Sequence, residues 1–334
     1  MKRIGNLFER IVDRDNLLLA YNKASRGKSC RGDRLAFADD LERNIQKLHD
    51  GLIEGSYPVG RYTRFTIYDP KEREICAATF SERVLHHALM NVCEPYFDKW
   101  MIYDTYASRK GKGQMKAVRR AQEFARRNRF FLKCDVRKYF DSIPHAGLIA
   151  LLDRKFKDPR LLFWFERLIR SYEKTPGRGL PIGNLTSQHF ANLYLDVVDR
   201  LHTPYVRYMD DFIFWHDDKD ALKRIRDEVS ESLVCHLGLE LKPTLINRTT
   251  SGMDFLGMRV FPKEVRLNRT SRLRYRRKVS WLLRHVGDEV MQQERLTSLT
   301  AFVAQADSLS WRQSVLRQFK EREVCGEQPM ATTA

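Results

Sequence analysis

Pairs of acidic residues are the first feature of this sequence that could do chemistry. Asp-Asp occurs at 39–40, 210–211 and 217–218. The dipeptide alone is uninformative, because acids are ordinary residues of turns and helix starts. Asp210 and Asp211 differ in their setting, since they interrupt an apolar and aromatic segment over 205–215. That pattern predicts a β-hairpin with two carboxylates at its turn, and such carboxylates are costly unless a cation neutralises them.

A third carboxylate ends another predicted strand. Asp135 follows the apolar run Phe130–Cys134, which is typical of a buried strand. If the two strands are neighbours, Asp135, Asp210 and Asp211 meet at one edge of a sheet. Three carboxylates suit two Mg²⁺ ions, which prefer oxygen ligands and leave positions for substrate phosphates. A metal pair of this kind can activate a hydroxyl nucleophile and stabilise a leaving pyrophosphate.

Composition points to a polyanionic partner. The chain has 334 residues, with 60 Lys and Arg against 43 Asp and Glu, a formal charge of +17. Nucleic acid is the first candidate for such a partner, and a membrane surface is the second. The alternative is that the positive charge has no binding role and only keeps the chain in solution. No apolar run approaches the roughly 20 residues of a bilayer crossing, and acids interrupt the basic start before any signal-like stretch. We therefore expect no membrane partner and a cytoplasmic protein.

The elements around these acids indicate an α+β protein. The periodicity predicts helices over 7–24, 37–55, 80–99, 114–128, 145–156, 159–173, 187–201 and 219–237, and again from Arg269 onward. It predicts a hairpin over 61–75, strands over 130–136, 205–215, 239–247 and 253–267, and a basic loop over 25–34. The six cysteines have no C-x-x-C spacing, which predicts reduced thiols.

Several motifs together resemble those of reverse transcriptases. Tyr208-Met209-Asp210-Asp211 is similar to the polymerase C motif, residues 135–140 to the A motif, and residues 179–188 (Gly-Leu-Pro-Ile-Gly-Asn-Leu-Thr-Ser-Gln) to the B motif. Lys71-Glu72-Arg73 and Arg83 resemble fingers residues, and Leu237-Gly238-Leu239 and Phe255-Leu256-Gly257 resemble the D and E motifs. These segments follow one another in the order that the family uses.

The resemblance implies a right-hand polymerase of class α+β, with fingers, a palm that holds a small antiparallel sheet, and a helical, basic thumb. The lobes would be fingers at 1–92 and 143–186, palm at 93–142 and 187–262, and thumb at 263–334. The implied activity is RNA-directed DNA synthesis. Two Mg²⁺ ions would be the cofactor, and template RNA, an RNA–DNA duplex and dNTPs the partners.

The same resemblance implies roles for individual residues. Asp135, Asp210 and Asp211 would be catalytic and would hold the metal, with the Val136 carbonyl as a further ligand. The nucleotide-binding residues would be Lys71, Arg73, Arg83, Phe140, Ile182, Gly183 and Gln188. Phe140 stands at the family's sugar-gate position, where a ring would collide with a 2′-hydroxyl. Its alternative role is that of a core aromatic.

Two basic helices are predicted to grip nucleic acid through its phosphates. The residues are Arg119, Arg120, Arg126 and Arg127 in the first helix and Arg272, Arg276, Arg277 and Lys278 in the second. Trp281, Leu282 and Leu283 are expected to anchor the second helix. A solvated basic helix is the alternative in each case.

Two positions depart from most reverse transcriptases. Ile182 stands where Gln is usual, and Gln188 where Pro is usual. This form is similar to the reverse transcriptases of diversity-generating retroelements, which copy a template-repeat RNA and misincorporate opposite adenine. Ile182 cannot donate the hydrogen bonds of a Gln amide, and a site without polar discrimination is less selective. That subtype implies a small basic pentameric accessory variability protein as partner.

Alternatives stay open at this point. The chain could be a retron or phage-defence reverse transcriptase, or a catalytically silent RNA-binding scaffold, and Ile182 could be a packing residue only. In the D motif, Pro243 falls where many relatives have Lys, so Lys242 is a weaker match.

Overall fold

The computed structural model describes residues 3–27, 32–68, 72–285 and 288–324. Its helices are α1 (Phe8–Val12), α2 (Arg14–Ser25), α3 (Gly32–Asp39), α4 (Leu41–Ile53), α5 (Phe80–Trp100), α6 (Gln114–Arg127), α7 (Tyr139–Ser142), α8 (His145–Lys155), α9 (Pro159–Arg170), α10 (Leu185–Tyr194), α11 (Lys219–Ser232), α12 (Arg269–His285), α13 (Glu289–Val303) and α14 (Leu309–Val324). Its strands are β1 (Tyr62–Ile67), β2 (Arg73–Ala78), β3 (Phe130–Asp135), β4 (Tyr205–Tyr208), β5 (Asp211–His216), β6 (Leu245–Arg248), β7 (Met253–Phe255), β8 (Met258–Val260) and β9 (Val265–Leu267). The predicted α+β class is confirmed.

A four-stranded antiparallel sheet in the order β4-β5-β3-β6 lies between two helical layers. Successive side chains of a strand point to opposite faces. Leu132 and Cys134 of β3 join the core that contains α11, whereas Phe131 joins the core that contains α6. Both faces of the sheet are therefore covered, which explains why β3 is almost continuously apolar.

The N-terminal helices pack around α5, and a hairpin extends from them. The Thr79 hydroxyl caps α5 by accepting the N–H of Glu82 at 3.3 Å. Strands β1 and β2 pair from Tyr62 opposite Ala78 to Ile67 opposite Arg73. The side chains of β1 are mostly exposed, so the hairpin projects from the core. Residues 69–71, which connect the two strands of the predicted hairpin, lie outside the described residues.

The C-terminal helices pack on a separate three-stranded sheet, β7-β8-β9. Tyr275, Val279 and Leu282 of α12 are buried. The prediction that Trp281 anchors α12 is wrong, because its side chain is 55% exposed and stacks on His285 at 5.1 Å between ring centroids. Residues two apart on a helix face different directions, so Trp281 cannot share the buried face with Val279.

Some element boundaries differ from the prediction. Helix α10 ends before residue 201, because the N–H groups of Val198 and Leu201 bond three residues back in a tighter turn. The strand predicted over 239–247 shortens to β6, since residues 240–242 bond to the chain at 135–137 instead. The segment 253–267 holds three strands, and α3 begins inside the predicted basic loop.

No helix within the described ranges is both long and apolar enough to cross a bilayer. Cys76, Cys93, Cys134 and Cys235 are free thiols, as their spacing predicts, and the other two cysteines lie outside the described residues. Burial raises the pKa of the Cys93 and Cys134 thiols. Both therefore stay protonated at neutral pH.

His189 in α10 gives the fold a pH dependence. Its ring is 3% exposed and packs 5.9 Å from the Phe97 ring, and burial lowers its pKa from 6.5 to about 4. The unfolded chain therefore takes up this proton first, and stability that is complete above about pH 6.5 is lost as the pH falls. We expect the contribution of His189, taken as the difference in free energy of unfolding between the wild type and His189→Phe, to fall by about 2 kcal/mol between about pH 7.5 and pH 5. Urea titrations of the wild type and His189→Phe measure it, and an equal pH slope in the variant would contradict the assignment.

Candidate active site

Three carboxylates meet where β3 and β4 end and β5 begins. Asp135 is the last residue of β3 and lies opposite Asp211, the first residue of β5. Asp210 occupies the turn before Asp211, and its carbonyl accepts the N–H of Val136 at 3.4 Å. Residues directly opposite in an antiparallel pair have Cβ atoms about 4.5–5.5 Å apart. The structure thus brings the three predicted acids together at one sheet edge.

A buried arginine holds the turn that presents Asp210. Met209 has a φ of 59°, a left-handed conformation that costs a non-glycine residue about 1–2 kcal/mol. Arg207 donates from Nη1 to the Met209 carbonyl at 3.1 Å and to Asn192 Oδ1 at 2.8 Å. Its Nε and Nη2 donate to the two carboxylate oxygens of Asp199 at 2.6 and 2.5 Å. The guanidinium therefore ties the Asp210 turn to α10 and to the 3₁₀ turn after it.

Two lysines pair with two of the three carboxylates. Lys133 precedes Asp135 by two residues on the same face of β3, and its Nζ lies 3.2 Å from Asp211 Oδ2. Lys242 Nζ donates to Asp135 Oδ1 at 2.7 Å, and its backbone N–H donates to the Asp135 carbonyl at 2.8 Å. Both pairs are partly exposed, so they contribute little to folding stability. Their effect is on the charge balance of the site.

Burial raises the pKa of both acids in the turn. The pKa of Asp210 is raised by burial and by the nearby charge of Asp135, against the opposing charges of Lys242 and Arg73. Burial raises the pKa of Asp211 to about 7, against the opposing effect of Lys133. Like charges that share a poorly solvated site always disfavour one another's ionised form. The site therefore favours an added cation.

The chemistry of these residues fits a divalent cation with oxygen ligands. Asp211 Oδ1 is buried and has no hydrogen-bond partner among the described residues, which is costly for a carboxylate oxygen unless a cation binds it. In the rotamers present, no three His, Cys, Asp or Glu side chains of the described ranges are spaced to hold one ion. Lys133 and Lys242 hold Asp211 and Asp135 instead. A metal ion would compete with these lysines for the two carboxylates.

The β1–β2 hairpin brings one predicted phosphate-binding residue to the acids. Arg73 begins β2 with an exposed side chain, and its charge lowers the pKa of Asp210. Arg83 turns back toward the hairpin, where its Nε donates to the Ala78 carbonyl at 2.9 Å. Lys71 lies outside the described residues. Of the two predicted cations within the described residues, Arg73 acts electrostatically on the acids.

The segment with Ile182 and Gly183 lies against β2. The Ile182 carbonyl accepts the N–H of Cys76 at 2.9 Å. Gly183 has a φ of 115°, and a Cβ there would meet Ile75 Cγ2 at 3.0 Å. Glycine is therefore required for the close approach of this segment to the hairpin. The Ile182 side chain is half-buried.

Phe140 and Gln188 lie beside the same segment. The Phe140 ring is half-buried and edge-on to Tyr139, with 5.9 Å between ring centroids. Its carbonyl accepts the N–H of Leu180 at 2.8 Å, which joins the two motif segments. Gln188 Oε1 accepts the Ser108 hydroxyl at 3.3 Å. A backbone hydrogen bond thus holds Phe140 in position, and a side-chain hydrogen bond holds the Gln188 amide.

The predicted basic residues of α6 have different surroundings. Arg120 forms an ion pair with Asp104, with Nε to Oδ1 at 2.9 Å. Arg126 donates to a backbone carbonyl at 2.7 Å. Arg119 and Arg127 are exposed. Structural pairing therefore already engages Arg120, whereas Arg119 and Arg127 present their charge to solvent.

The predicted basic residues of α12 lie on the exposed face of that helix. Arg272 and Arg276 line a cavity of about 530 Å³, and the guanidinium of Arg272 lies 5.0 Å from the centre of the Trp311 ring. Arg277 and Lys278 are exposed on the following turn. The helix thus presents a basic surface beside an aromatic ring.

Sequence reasoning missed Lys133 and Arg207 and undervalued Lys242. Lys133 had a usable signal, since it precedes Asp135 by the two-residue period of a strand. Arg207 is a lone charge in an apolar strand, and such a charge needs a buried partner. Its partner Asp199 gives no comparable signal in the sequence.

Residues 69–260 match the family model described as reverse transcriptase (RNA-dependent DNA polymerase). The match covers more than half of the chain and includes Asp135, Asp210 and Asp211. The chain belongs to the reverse transcriptase family, and its α+β architecture is the right-hand polymerase fold of that family.

Curated relatives include proteins encoded in introns. The chain is 27% identical over 211 residues to the group II intron-encoded protein LtrA of Lactococcus lactis, covering 58% of this chain and 34% of LtrA. It is 24% identical over 307 residues to an uncharacterized 91 kDa protein in the cob intron of Schizosaccharomyces pombe, covering 87% of this chain and 37% of that protein. The chain spans little more than a third of the length of either relative. Apo telomerase from Candida tropicalis aligns with a TM-score of 0.49 and 11% identity, over 84% of this chain and 64% of the telomerase chain.

Proposed function

We propose that the chain is an RNA-directed DNA polymerase whose reaction centre contains Asp135, Asp210 and Asp211. The observation that carries the proposal is the pairing of Asp135 with Asp211 beside the Asp210 turn, in a member of the reverse transcriptase family. These residues and the Val136 carbonyl would hold two Mg²⁺ ions, which when bound lower the pKa of the primer 3′-hydroxyl and neutralise the leaving pyrophosphate.

The surrounding residues bind and orient the substrates. Arg73 offers a planar fork to the triphosphate of the incoming dNTP, and Lys71 adds a second positive charge. Arg207 keeps the turn that carries Asp210 in one conformation. The proposed walls of the nucleotide site are Arg83, Phe140, Ile182, Gly183 and Gln188.

Three lobes would share this work. Fingers at 1–92 and 143–186 would hold the nucleotide, and palm at 93–142 and 187–262 would carry the acids. The thumb at 263–334 would bind the phosphates of the template–primer duplex through the exposed basic face of α12, chiefly Arg272, Arg276, Arg277 and Lys278. Arg119, Arg126 and Arg127 of α6 would add charge at the palm.

Primer extension by the purified chain tests the activity. With an RNA template, a DNA primer and dNTPs, we expect Mg²⁺-dependent products that end at the template terminus. No product with any divalent ion would overturn the proposal and favour a silent RNA-binding scaffold. Template binding without synthesis would be the signature of that scaffold.

Phe140→Ala should admit ribonucleotides. Loss of the ring removes the group that would collide with the 2′-hydroxyl, and a steric contact of this kind discriminates by about 10- to 200-fold. Single-turnover extension with rNTPs and dNTPs measures the ratio. Phe140→Tyr keeps the ring and should keep the discrimination. An equal ratio in Phe140→Ala and wild type would leave Phe140 as a packing residue.

We further propose that this polymerase performs the mutagenic copying step of a diversity-generating retroelement. The support is the pair Ile182 and Gln188, where most reverse transcriptases carry Gln and Pro. Copying of a template-repeat RNA with errors at adenines would follow. A small basic pentameric accessory protein would then hold the RNA, and extension on the flanking RNA with and without that protein tests the partnership.

Ile182→Gln should lower misincorporation opposite template adenine by about tenfold, because an amide restores polar discrimination beside the nascent base pair. Sequencing of products from a defined RNA template gives the error frequency. Ile182→Val, which also lacks donors, should keep the wild-type errors. An unchanged frequency in Ile182→Gln would favour the retron or phage-defence alternative and a packing role for Ile182.

A further inference from the structure

A basic pocket lies at the far end of the palm sheet from the acids. It has a volume of about 360 Å³ and is bounded by the end of α6, the start of β3 and the end of β6. Phe130 of β3 is one of its walls, and Asp135 is five residues further along the same strand. At about 3.4 Å per residue, the pocket is about 17 Å from the carboxylates. It is therefore separate from the active site.

Arginines supply the charge of this pocket. Arg126, Arg127, Arg129 and Arg248 line it, and no acidic residue of the described ranges does. Arg126 donates to a backbone carbonyl. Among the described residues, the guanidinium groups of Arg127, Arg129 and Arg248 have no acidic partner. Three uncompensated guanidinium groups around one concavity make an anion-binding site.

The position of the pocket, and the aromatic ring and hydroxyl group among its lining, favour a phosphodiester backbone over an acidic peptide. Arg129 lies over the Phe130 ring at 5.6 Å, which restricts its flat guanidinium. Exposed Thr250 at the rim is a donor of the kind that commonly contacts phosphate. Helix α6 connects the pocket to the β7–β8 hairpin, where Gln114 Nε2 donates to the Leu256 carbonyl at 2.6 Å. Exposed Arg119 lies midway along this helix.

We propose that Arg127, Arg129 and Arg248 form a binding site for the phosphate backbone of RNA outside the catalytic cleft. The proposal rests on the RNA-templated function above and adds a second contact for the RNA. A strand that leaves the cleft would follow α6 and dock its phosphates at the far end of the sheet. The contact is independent of sequence, because it involves no base edges.

Salt-dependent RNA binding tests the site. A long single-stranded RNA is titrated by fluorescence anisotropy with the wild type and with Arg127→Gln/Arg129→Gln/Arg248→Gln. We expect the variant to bind about tenfold more weakly, and the slope of log affinity against log salt to fall by about 2, at about 0.7 per lost contact. Arg127→Gln and Arg248→Gln singly should each lower the slope by about 0.7, which keeps the test valid if the triple variant folds poorly.

A matched control removes the same charge elsewhere. Lys223→Gln/Arg224→Gln/Arg226→Gln on α11 replaces three cations that pair with Asp220, Asp218 and Asp227. It should keep wild-type RNA affinity. Equal losses in both triple variants would overturn the site, as would wild-type binding by the pocket variant. Weaker binding of polyglutamate with unchanged RNA binding would overturn it in favour of a protein partner.

Extension of a short template–primer separates this proposal from the polymerase proposal. A template that ends a few nucleotides beyond the primer cannot reach the pocket. Arg129→Gln/Arg248→Gln, which keeps Arg127 of the palm surface, should therefore extend it at the wild-type rate. If the wild type extends nothing, the polymerase function fails, and the anisotropy titration still decides the pocket.

Discussion

Asp210→Asn/Asp211→Asn should lower the rate of primer extension by about a thousandfold or more. The two carboxylates lie in a site where burial raises their pKa values. A bound cation would stabilise their ionised form, and the amides of the variant carry no charge to bind it. Metal ligation is worth several kcal/mol of transition-state stabilisation, and each 1.36 kcal/mol is tenfold in rate. Single-turnover extension on an RNA template measures the change.

The chain provides its own control for this prediction. Asp39 and Asp40 form the same dipeptide on the surface of the N-terminal helices, where both are exposed. Asp39→Asn/Asp40→Asn makes the identical chemical change and should extend at the wild-type rate. A comparable loss in both variants, or a rate near that of wild type in the first, would remove Asp210 and Asp211 from the mechanism.

Arg207→Met should destabilise the fold by about 3–5 kcal/mol, since it strands a buried charge. Arg207 is 0% exposed and Asp199 is 1% exposed. In the variant, the Asp199 carboxylate still accepts the hydrogen bond from the Tyr205 hydroxyl at 2.9 Å. It no longer has the ion pair with Arg207. Urea denaturation gives the free energy of unfolding. Arg207→Met/Asp199→Leu removes both charges and should recover much of the loss.

Arg207 also has an effect on the active site that stability alone does not report. It donates to the Met209 carbonyl, one residue before Asp210. At a temperature where Arg207→Met/Asp199→Leu is fully folded, its extension rate should still fall, because the turn is no longer held. Arg170→Met, which breaks an exposed pair with Glu166, should change neither stability nor rate. Wild-type stability of Arg207→Met would contradict the account of the pair.

The carboxylate site was predictable because its signals are local. The apolar run of β3 ends at Asp135, and the hairpin of β4 and β5 turns at Asp210. Strand ends and tight turns are set by side-chain alternation and by neighbouring residues. Only the pairing of β3 with the hairpin was a long-range inference, and in the structure β3 pairs with β5.

The supporting residues were harder to predict because irregular backbone positions them. Lys242 reaches Asp135 through residues 240–242, which bond to the chain at 135–137 without forming a regular strand. Asp199 reaches Arg207 from a 3₁₀ turn where the sequence predicts continuous helix. Likewise, Arg120 and Arg127 are both arginines of the basic helix α6, and the sequence does not distinguish their roles. In the structure, Arg120 pairs with Asp104 and Arg127 does not. Contacts of this kind depend on tertiary packing and leave no periodic pattern.

We propose that Asp135, Asp210 and Asp211 hold the catalytic cations. Mn²⁺ binding to the full chain, with a dideoxy-terminated primer on RNA and a matching dNTP, tests it directly by electron paramagnetic resonance. Wild type and Asp39→Asn/Asp40→Asn should bind Mn²⁺ that Mg²⁺ displaces, and Asp135→Asn and Asp210→Asn should lose that binding. Wild-type Mn²⁺ binding in Asp135→Asn and Asp210→Asn would contradict the claim.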